Sequence, residues 1–216
     1  MASTLILTAV EHLPWVTPGD DLVPLVIAAT ASQGLIPEPG DILVVAQKVV
    51  SKAEDRLVAL AAVSPSTAAV KLAEETGKDA RLVELILSES NAIVRSRPGL
   101  IIAEHRCGHV LANAGIDASN IVQDDGEQVL LWPEDPDVSA TDLHQRYTKA
   151  YGFRVPVIIN DSMGRAWRLG TTGHAIGVAG LDPLWNQVGG HDLYGNELRV
   201  TEPATADGLA AAAALV

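Results

Sequence analysis

The sequence predicts a mixed α/β protein of the α+β kind, because short apolar runs rich in Val and Ile alternate with segments that have helical spacing. A chain of 216 residues is long enough for one large domain or two closely joined lobes. Hydrophobic residues make up 48% of the chain and aromatic residues 4%, so the core is expected to consist mainly of Val, Ile, Leu and Ala. The alternation is irregular, and we therefore do not expect a doubly wound parallel sheet.

In the first half of the chain, each predicted element has a local signal. Residues 4–8 (TLILT) read as a strand, and Leu22–Ser32 is predicted as a helix with Asp20 or Asp21 as its N-cap. Residues 41–46 (DILVVA) form a β-branched run that is typical of a buried strand. The other elements expected there are a short helix at 47–55, strands at 56–60, 92–97 and 100–103, and helices at 66–77 and 79–90.

The second half begins with clear signals and ends with weaker ones. Residues 135–151 are predicted to contain a helix, and residues 154–160 (RVPVIIN) to form a buried strand whose Pro156 indicates a sheet edge or an irregularity. Residues 161–201 are rich in glycine and are predicted to form loops with short strands. Residues 204–216 begin a helix without a Gly, Asn or Pro stop signal, so we expect the natural chain or its ordered part to continue.

Charge and composition exclude several classes of partner. The formal net charge of -12 argues against nucleic acid and against anionic membranes, although small anions can still bind to a local basic cluster or to a divalent cation. No apolar run approaches the roughly 20 residues that span a bilayer, and the N-terminus lacks the features of a signal peptide. The single cysteine, Cys107, suits a reducing compartment. A cytoplasmic protein is therefore expected.

The common catalytic motifs are absent from the sequence. It contains no phosphate-binding loop of the G-x-x-x-x-G-K-[ST] type and no G-x-G-x-x-G turn. It also lacks the G-x-S-x-G, H-E-x-x-H and C-x-x-C patterns. An enzyme that used nucleotides with this sequence would need an uncommon phosphate site.

The most informative polar segment is NDSMGRAWR at residues 160–168. Asp161 and Ser162 directly follow a predicted buried strand, where α/β proteins place chemistry, and both offer oxygen ligands suited to Mg²⁺ or Mn²⁺. Arg165 and Arg168 could hold phosphate or carboxylate oxygens in bidentate fashion, and we take them as candidate catalytic residues. We favour this interpretation over the alternative, in which Asp161 caps a turn and both arginines are solvated.

Two further segments are ambiguous by themselves. In ANAGIDASN (112–120), Gly115 permits a tight backbone, and Asp117 and Asn120 supply polar groups, but the composition alone favours an ordinary Asx-turn or helix cap. In QKVVSK (47–52), Lys48 and Lys52 share a helical face and could meet an anion, or they could be two solvated lysines.

The histidines, the cysteine and two of the tryptophans indicate less about function. The six histidines show no zinc spacing, and His105 and His109 are expected at a strand-to-loop transition as polar surface. Cys107 has no flanking base and is not expected to be a nucleophile. Trp167 and Trp185 could belong to the core or could stack on a flat ligand.

Taken together, these segments resemble the coenzyme F420-0:L-glutamate ligase family, also called F420 γ-glutamyl ligases. The resemblance implies a fold specific to the family, an intertwined homodimer, and GTP-dependent ligation of L-glutamate to F420-0 through an acyl phosphate, with GDP and phosphate as products. It also implies two divalent cations, Mn²⁺ or Mg²⁺, with K⁺ as a further candidate ion. The segments that carry it are GDDL at 19–22, VVAQKVVSKAEDR at 44–56, ANAGIDASN at 112–120, NDSMGRAWRLGTTGHAIGVAG at 160–180 and DLYGNELRVTEPATAD at 192–207.

The resemblance also implies roles for individual residues. Asp117 and Asp161 would be ligands of the first cation and Ser162 of the second. In the family, a further metal-binding and nucleotide-binding stretch lies beyond the position of the last residue of this chain. Residues 1–216 are expected to form one ligase domain. The residues that would contact GTP are Leu13, Pro14, Trp15, Val16, Gln47, Lys52 and Asn120.

Two alternatives remain open from the sequence. The chain could be a related acid–amine ligase with a different acceptor, or it could be a non-catalytic GTP-binding module. The number of glutamates added and the general base for the amine step are not indicated by any motif.

Overall fold

The computed structural model describes residues 4–121 and 126–216 and confirms a mixed α/β protein. Its strands form three small sheets, with the orders β1-β7-β8, β2-β6 and β3-β4-β5. In that part of the chain, no helix is long and apolar enough to cross a membrane. The elements are α1 (Leu22–Ser32), β1 (Leu43–Ala46), α2 (Gln47–Ala53), β2 (Leu57–Ala59), α3 (Thr67–Thr76), α4 (Ala80–Ser88), β3 (Ser90–Arg97), β4 (Leu100–His105), β5 (Val110–Ala112), β6 (Gln128–Leu130), α5 (Pro136–Tyr151), β7 (Val157–Gly164), β8 (Thr171–Ala179) and α6 (Thr205–Ala213).

The N-terminal part confirms one prediction and corrects another. Asp21 is the N-cap of α1, since its Oδ1 accepts the backbone N–H of Val23 at 3.0 Å, and its carboxylate also pairs with Arg146. The predicted strand at residues 4–8 is wrong, because that segment has no regular secondary structure. Leu5 and Ile6 are exposed there, and among the described residues no strand pairs with this segment.

The sheet β1-β7-β8 contributes buried side chains to the larger core cluster, which also contains side chains of α1 and α5. β1 runs parallel to β7, with Ala46 opposite Asn160, and β8 runs antiparallel to β7. β7 is therefore the middle strand, so of the two readings of Pro156, a sheet edge or an irregularity, the edge is wrong. Pro156 lies just before the strand, where its carbonyl accepts the N–H of Leu43 and its missing N–H costs the sheet nothing.

The prediction of loops with short strands from residue 161 is wrong for its first part. β7 continues to Gly164, and β8 is nine residues long. Two of the glycines that suggested loops, Gly173 and Gly177, serve close packing instead. A Cβ on Gly173 would collide with the backbone carbonyl of Ala210 in α6, and one on Gly177 would collide with the backbone of Pro136 in α5.

A second core cluster is formed where α3 and α4 pack against β3 and β4. Val83, Ile86 and Ile101 are fully buried in it. The predicted strand at 56–60 is shortened to β2, and a single 3₁₀ turn follows at Leu60–Ala62. The three-residue strands β5 and β6 were not predicted, because so short a run carries no measurable periodicity.

The structure corrects one expectation about a side chain and excludes one of two open alternatives for two others. His105 is fully buried at the end of β4, not polar surface, because its ring packs against Trp132. Trp167 and Trp185 do not belong to the core, since both side chains are exposed.

Candidate active site

Sheet register brings two of the predicted segments together. β1 and β7 are parallel neighbours, so Ala46, the last residue of β1, lies beside Asn160 in the middle of β7. The chain passes from Ala46 directly into α2, which carries Lys48, and from Asn160 directly to Asp161. The register therefore brings the start of α2 close to Asp161.

Asp117 reaches the same place from a separate loop. Its Oδ2 accepts a hydrogen bond from Lys48 Nζ at 2.6 Å and one from Ser119 Oγ at 2.7 Å, while its Oδ1 accepts the N–H of Ser119 at 2.8 Å. Partial burial acts to raise the pKa of Asp117, but the bonds from Lys48 and Ser119 outweigh it and lower the pKa to about 2. The Asx-turn expected from composition is therefore present, and it presents an ionised carboxylate.

Asp161 lies in a less hydrated position than Asp117. Its Oδ2 accepts the indole Nε1–H of Trp132 at 2.8 Å, and its Oδ1 accepts the N–H of Ser162 at 2.8 Å. Burial raises the pKa of Asp161 above its ordinary value, and the charge of Asp117 raises it further, whereas the bonds from Trp132 and Ser162 and the charge of Lys48 lower it. The two aspartates are thus close enough for their charges to interact.

Trp132 is the residue of this site that sequence reasoning missed. It is fully buried, its carbonyl accepts a bond from Arg56 Nε at 2.7 Å, and the ring centroid of His105 lies 4.7 Å from its own. Gly115, at φ +74°, lies against the indole so closely that a Cβ would come within 3.0 Å of three of its ring atoms. The indole is therefore held on several sides, which fixes the direction of the N–H that meets Asp161.

A buried cluster of charged side chains lies next to Trp132, which contacts two of its members, Arg56 and His105. Glu89 pairs with Arg56 at 3.1 Å, with Arg106 at 3.2 Å and with His105 at 3.6 Å. Burial acts to raise the pKa of Glu89, but the bond with His105 and the charges of both arginines outweigh it and lower the pKa. No local motif could have indicated this cluster, because its members come from three separate segments of the chain.

The residues expected to contact GTP are arranged around the two aspartates in different ways. Lys52, one helical turn after Lys48, donates from Nζ to the carbonyl of Asn120 at 2.7 Å. Asn120 itself has a φ of 57°, a left-handed conformation that Asn tolerates. Gln47 is buried, and its Nε2 donates to Ser51 Oγ at 2.5 Å and lies 3.4 Å from the carbonyl of Leu131.

The remaining predicted residues lie at the surface. Leu13 and Val16 pack partly against the larger core cluster, whereas Pro14 and Trp15 are exposed. Ser162 is exposed beside Asp161. Arg165 and Arg168 are exposed in the turn that joins β7 to β8, so the structure does not place them against the aspartates.

The donor set at the aspartates suits a hard divalent cation. Carboxylate and hydroxyl oxygens are the ligands that Mg²⁺ and Mn²⁺ prefer, and Mg²⁺ commonly takes one or two carboxylates together with water or substrate oxygens. The raised pKa of Asp161 shows a buried carboxylate that a nearby cation would stabilise in its charged form. Within residues 4–121 and 126–216, no group of three or more His, Cys, Asp and Glu side chains is arranged to hold a metal ion.

Comparison with known proteins gives consistent matches. A sequence model of the family described as F420-0:gamma-glutamyl ligase matches residues 11–216. The chain is 48% identical over 210 residues to a coenzyme F420:L-glutamate ligase of Methanothermobacter thermautotrophicus, covering 97% of this chain and 82% of that protein. It is 49% identical over 201 residues to a protein of the same name from Methanopyrus kandleri (93% and 77% covered), and 42% identical over 207 residues to one from Archaeoglobus fulgidus (96% and 80% covered).

Proposed function

This chain belongs to the F420-0:gamma-glutamyl ligase family of amide-forming ligases, and from that premise we propose that it joins L-glutamate to coenzyme F420-0 in a reaction driven by GTP. The observation that carries the proposal is the convergence of Asp117 and Asp161 beside Lys48, where β1 ends next to the middle of β7. The matches to two coenzyme F420:L-glutamate ligases cover 82% and 77% of those proteins, so the similarity extends well beyond one motif.

The proposed reaction first converts a carboxylate of F420-0 into a form with a better leaving group. A carboxylate does not react with an amine, because its oxygen is a poor leaving group. Transfer of the γ-phosphoryl group from GTP to a carboxylate of F420-0 gives an acyl phosphate and GDP. The glutamate nitrogen then attacks the acyl carbon, the carbon–oxygen bond to phosphate breaks, and the nitrogen loses a proton. The products are F420-1, GDP and phosphate.

Charge is the main obstacle to bringing these substrates together. GTP, F420-0 and glutamate are all anionic, and the protein itself carries a formal net charge of -12. Asp117, Asp161 and Ser162 would hold two divalent cations, Mn²⁺ or Mg²⁺, which when bound supply positive charge to the phosphate oxygens. The ordered carboxylates position that charge, since Trp132 and Ser119 hold their oxygens in place.

The surrounding residues are proposed to bind the nucleotide and the acceptor. Lys52 and Asn120 lie at one side of the aspartate pair and would contact GTP, together with Gln47 and the segment 13–16. Arg165 and Arg168 would hold substrate phosphate or carboxylate groups from the exposed turn after β7. Such a role requires the turn to face bound substrate, which an oligomer can bring about.

A homodimer is part of the proposal. Trp167 is 100% exposed and Leu169 99% exposed in the turn after β7, and Leu193 and Tyr194 are 100% and 91% exposed in a second surface loop. Large apolar side chains this exposed are typical of surfaces that bind another protein. Replacing Trp167 and Leu169 by Ser is expected to convert a dimer to a monomer in analytical ultracentrifugation, and a monomeric unmodified protein would contradict the proposal.

The activity can be tested directly. The protein is incubated with GTP, Mn²⁺, L-glutamate and F420-0, and mass spectrometry is used to look for the added glutamyl residue. Asp161→Ala is expected to keep its circular dichroism spectrum and to lose product formation. Asp182→Ala is the matched control, because Asp182 follows Ala179 at the opposite end of β7 and β8. Normal product formation by Asp161→Ala would remove Asp161 from the mechanism.

The same assay examines the acceptor. Phosphate release with other carboxylic acids but not with F420-0 would indicate a related acid–amine ligase. GTP binding without any phosphate release would indicate a binding module.

A further inference from the structure

Lys48 forms an ion pair with Asp117, and it is not among the residues proposed above to contact a ligand. Its Nζ lies 2.6 Å from Asp117 Oδ2, and its side chain is 24% exposed. Its positive charge also acts on Asp161, whose pKa it lowers. One ammonium group therefore interacts with both carboxylates that would hold a cation.

We propose that Lys48 is the resident counter-ion of the Asp117–Asp161 pair and that it moves from Asp117 to a nucleotide phosphate oxygen when divalent cations bind. The inference rests on the proposed function, since it requires a cation and a nucleotide at this site. It assigns to Lys48 a positioning role before the nucleotide binds and a phosphate contact afterwards.

Lys48 is proposed to leave Asp117 because it and a divalent cation would compete for the same carboxylate oxygen. Asp117 Oδ2 already accepts bonds from Lys48 Nζ and from Ser119 Oγ. A divalent cation bound to that oxygen would lie within a few ångströms of the ammonium group, where two positive charges repel strongly. Lys48 must therefore leave before Oδ2 can serve as a ligand.

The surroundings of Lys48 explain where it can go. Its neighbour Gln47 is buried and bonded to Ser51, which holds the start of α2 in place and leaves the flexible lysine stem to move. A partly buried ammonium group without a partner is unfavourable, so Lys48 needs another anion. Phosphate oxygens beside the bound cations would satisfy this need, and an ammonium group binds phosphate well as a compact charge.

Lys52 provides a comparison within the same helix. It donates to the carbonyl of Asn120, which is a neutral acceptor, so it does not compete with a cation for a carboxylate. The two lysines share a helical face, yet the structure assigns them different tasks because only Lys48 meets Asp117.

The test measures cation and nucleotide binding separately. Mn²⁺ binding to the full chain is measured by isothermal titration calorimetry without nucleotide, and GTP binding is then measured at saturating Mn²⁺. The variants are Lys48→Met, Lys48→Arg and, as a control for the loss of one surface lysine, Lys71→Met on α3. Circular dichroism confirms that each variant is folded.

The proposal predicts shifts of opposite sign. Lys48→Met is expected to bind Mn²⁺ about three- to tenfold more tightly, because the competing ion pair is gone. It is expected to bind GTP roughly ten- to a hundredfold more weakly, because a hydrogen bond to a charged phosphate is lost. Lys48→Arg should bind Mn²⁺ no more tightly than the unmodified protein. Lys71→Met should bind both Mn²⁺ and GTP as the unmodified protein does.

The outcomes that overturn the proposal are distinct from failure of the proposed function. Unchanged or weaker Mn²⁺ binding by Lys48→Met would show that Lys48 does not compete, and unchanged GTP binding would show that it does not move to phosphate. Either result alongside normal product formation by the unmodified protein would overturn this inference alone. If the unmodified protein bound no Mn²⁺ and made no product, both the inference and the proposed function would fall.

Discussion

The contact between Gly115 and Trp132 gives a sharp test of how Asp161 is positioned. Gly115 and Gly99 both have positive φ, +74° and +80°, so replacement by Ala places an L side chain in the left-handed region at both sites. The surroundings differ. At Gly115 the new Cβ would come within 3.0 Å of three Trp132 ring atoms, whereas at Gly99 it would meet no atom within 4 Å. Gly99→Ala is therefore a matched control for the backbone cost.

The magnitude follows from these contacts. Each Ala substitution costs about 1–2 kcal/mol for the left-handed conformation. Gly115→Ala adds a clash inside a filled core, which costs about 1–3 kcal/mol, and it moves the indole N–H away from Asp161, which costs about 1.5–3 kcal/mol because the acceptor is charged. The free energy of unfolding is thus expected to fall about 2.5–6 kcal/mol further for Gly115→Ala than for Gly99→Ala.

Urea denaturation followed by circular dichroism measures this difference, and Mn²⁺ titration of the folded variants measures its effect on the site. We expect Gly115→Ala to lose both stability and Mn²⁺ affinity, and Gly99→Ala to lose only the smaller amount of stability. Equal destabilisation by the two substitutions would refute the reasoning, because the tight contact with Trp132 would then carry no energetic weight.

Three further predictions concern charges. Glu89→Gln leaves the guanidinium groups of Arg56 and Arg106 without their shared carboxylate and should lower the free energy of unfolding by about 3–5 kcal/mol in urea denaturation; a loss below 1 kcal/mol would contradict this. Because pairing lowers the pKa of Asp117 from 3.8 to about 2, its stabilising contribution is complete above pH 3.8 and is lost as the pH falls toward 2. Lys48→Met should therefore lose less thermal stability than the unmodified protein over that window, and identical slopes would exclude the pairing. Asp21→Ala removes the N-cap of α1 and should cost about 1–2 kcal/mol in the same denaturation assay, with Asp182→Ala unchanged.

The helices of this protein were predictable because their signals are local. Asp21 caps α1 through an N–H two residues away, and Gly152 ends α5 in a left-handed conformation. Such contacts form within one turn of chain. The failed prediction of a strand at residues 4–8 shows the limit, because a short apolar run forms a strand only where a partner strand exists.

The glycine-rich segment after Asp161 was misjudged for a related reason. Glycine is typical of loops, but Gly173 and Gly177 lie within β8, where α6 and α5 approach the backbone. Whether a glycine permits a turn or a close helix depends on which element lies above it. That information is not present in the neighbouring residues.

The sequence by itself determined the helices, the apolar strands and the polar segments that contain Asp117 and Asp161, because each depends on residues within a few positions. Tertiary structure alone decided that Lys48 meets Asp117, 69 residues away, and that Trp132 meets Asp161, 29 residues away. The physical reason is that strand register and core packing set these distances, and both are properties of the folded chain as a whole.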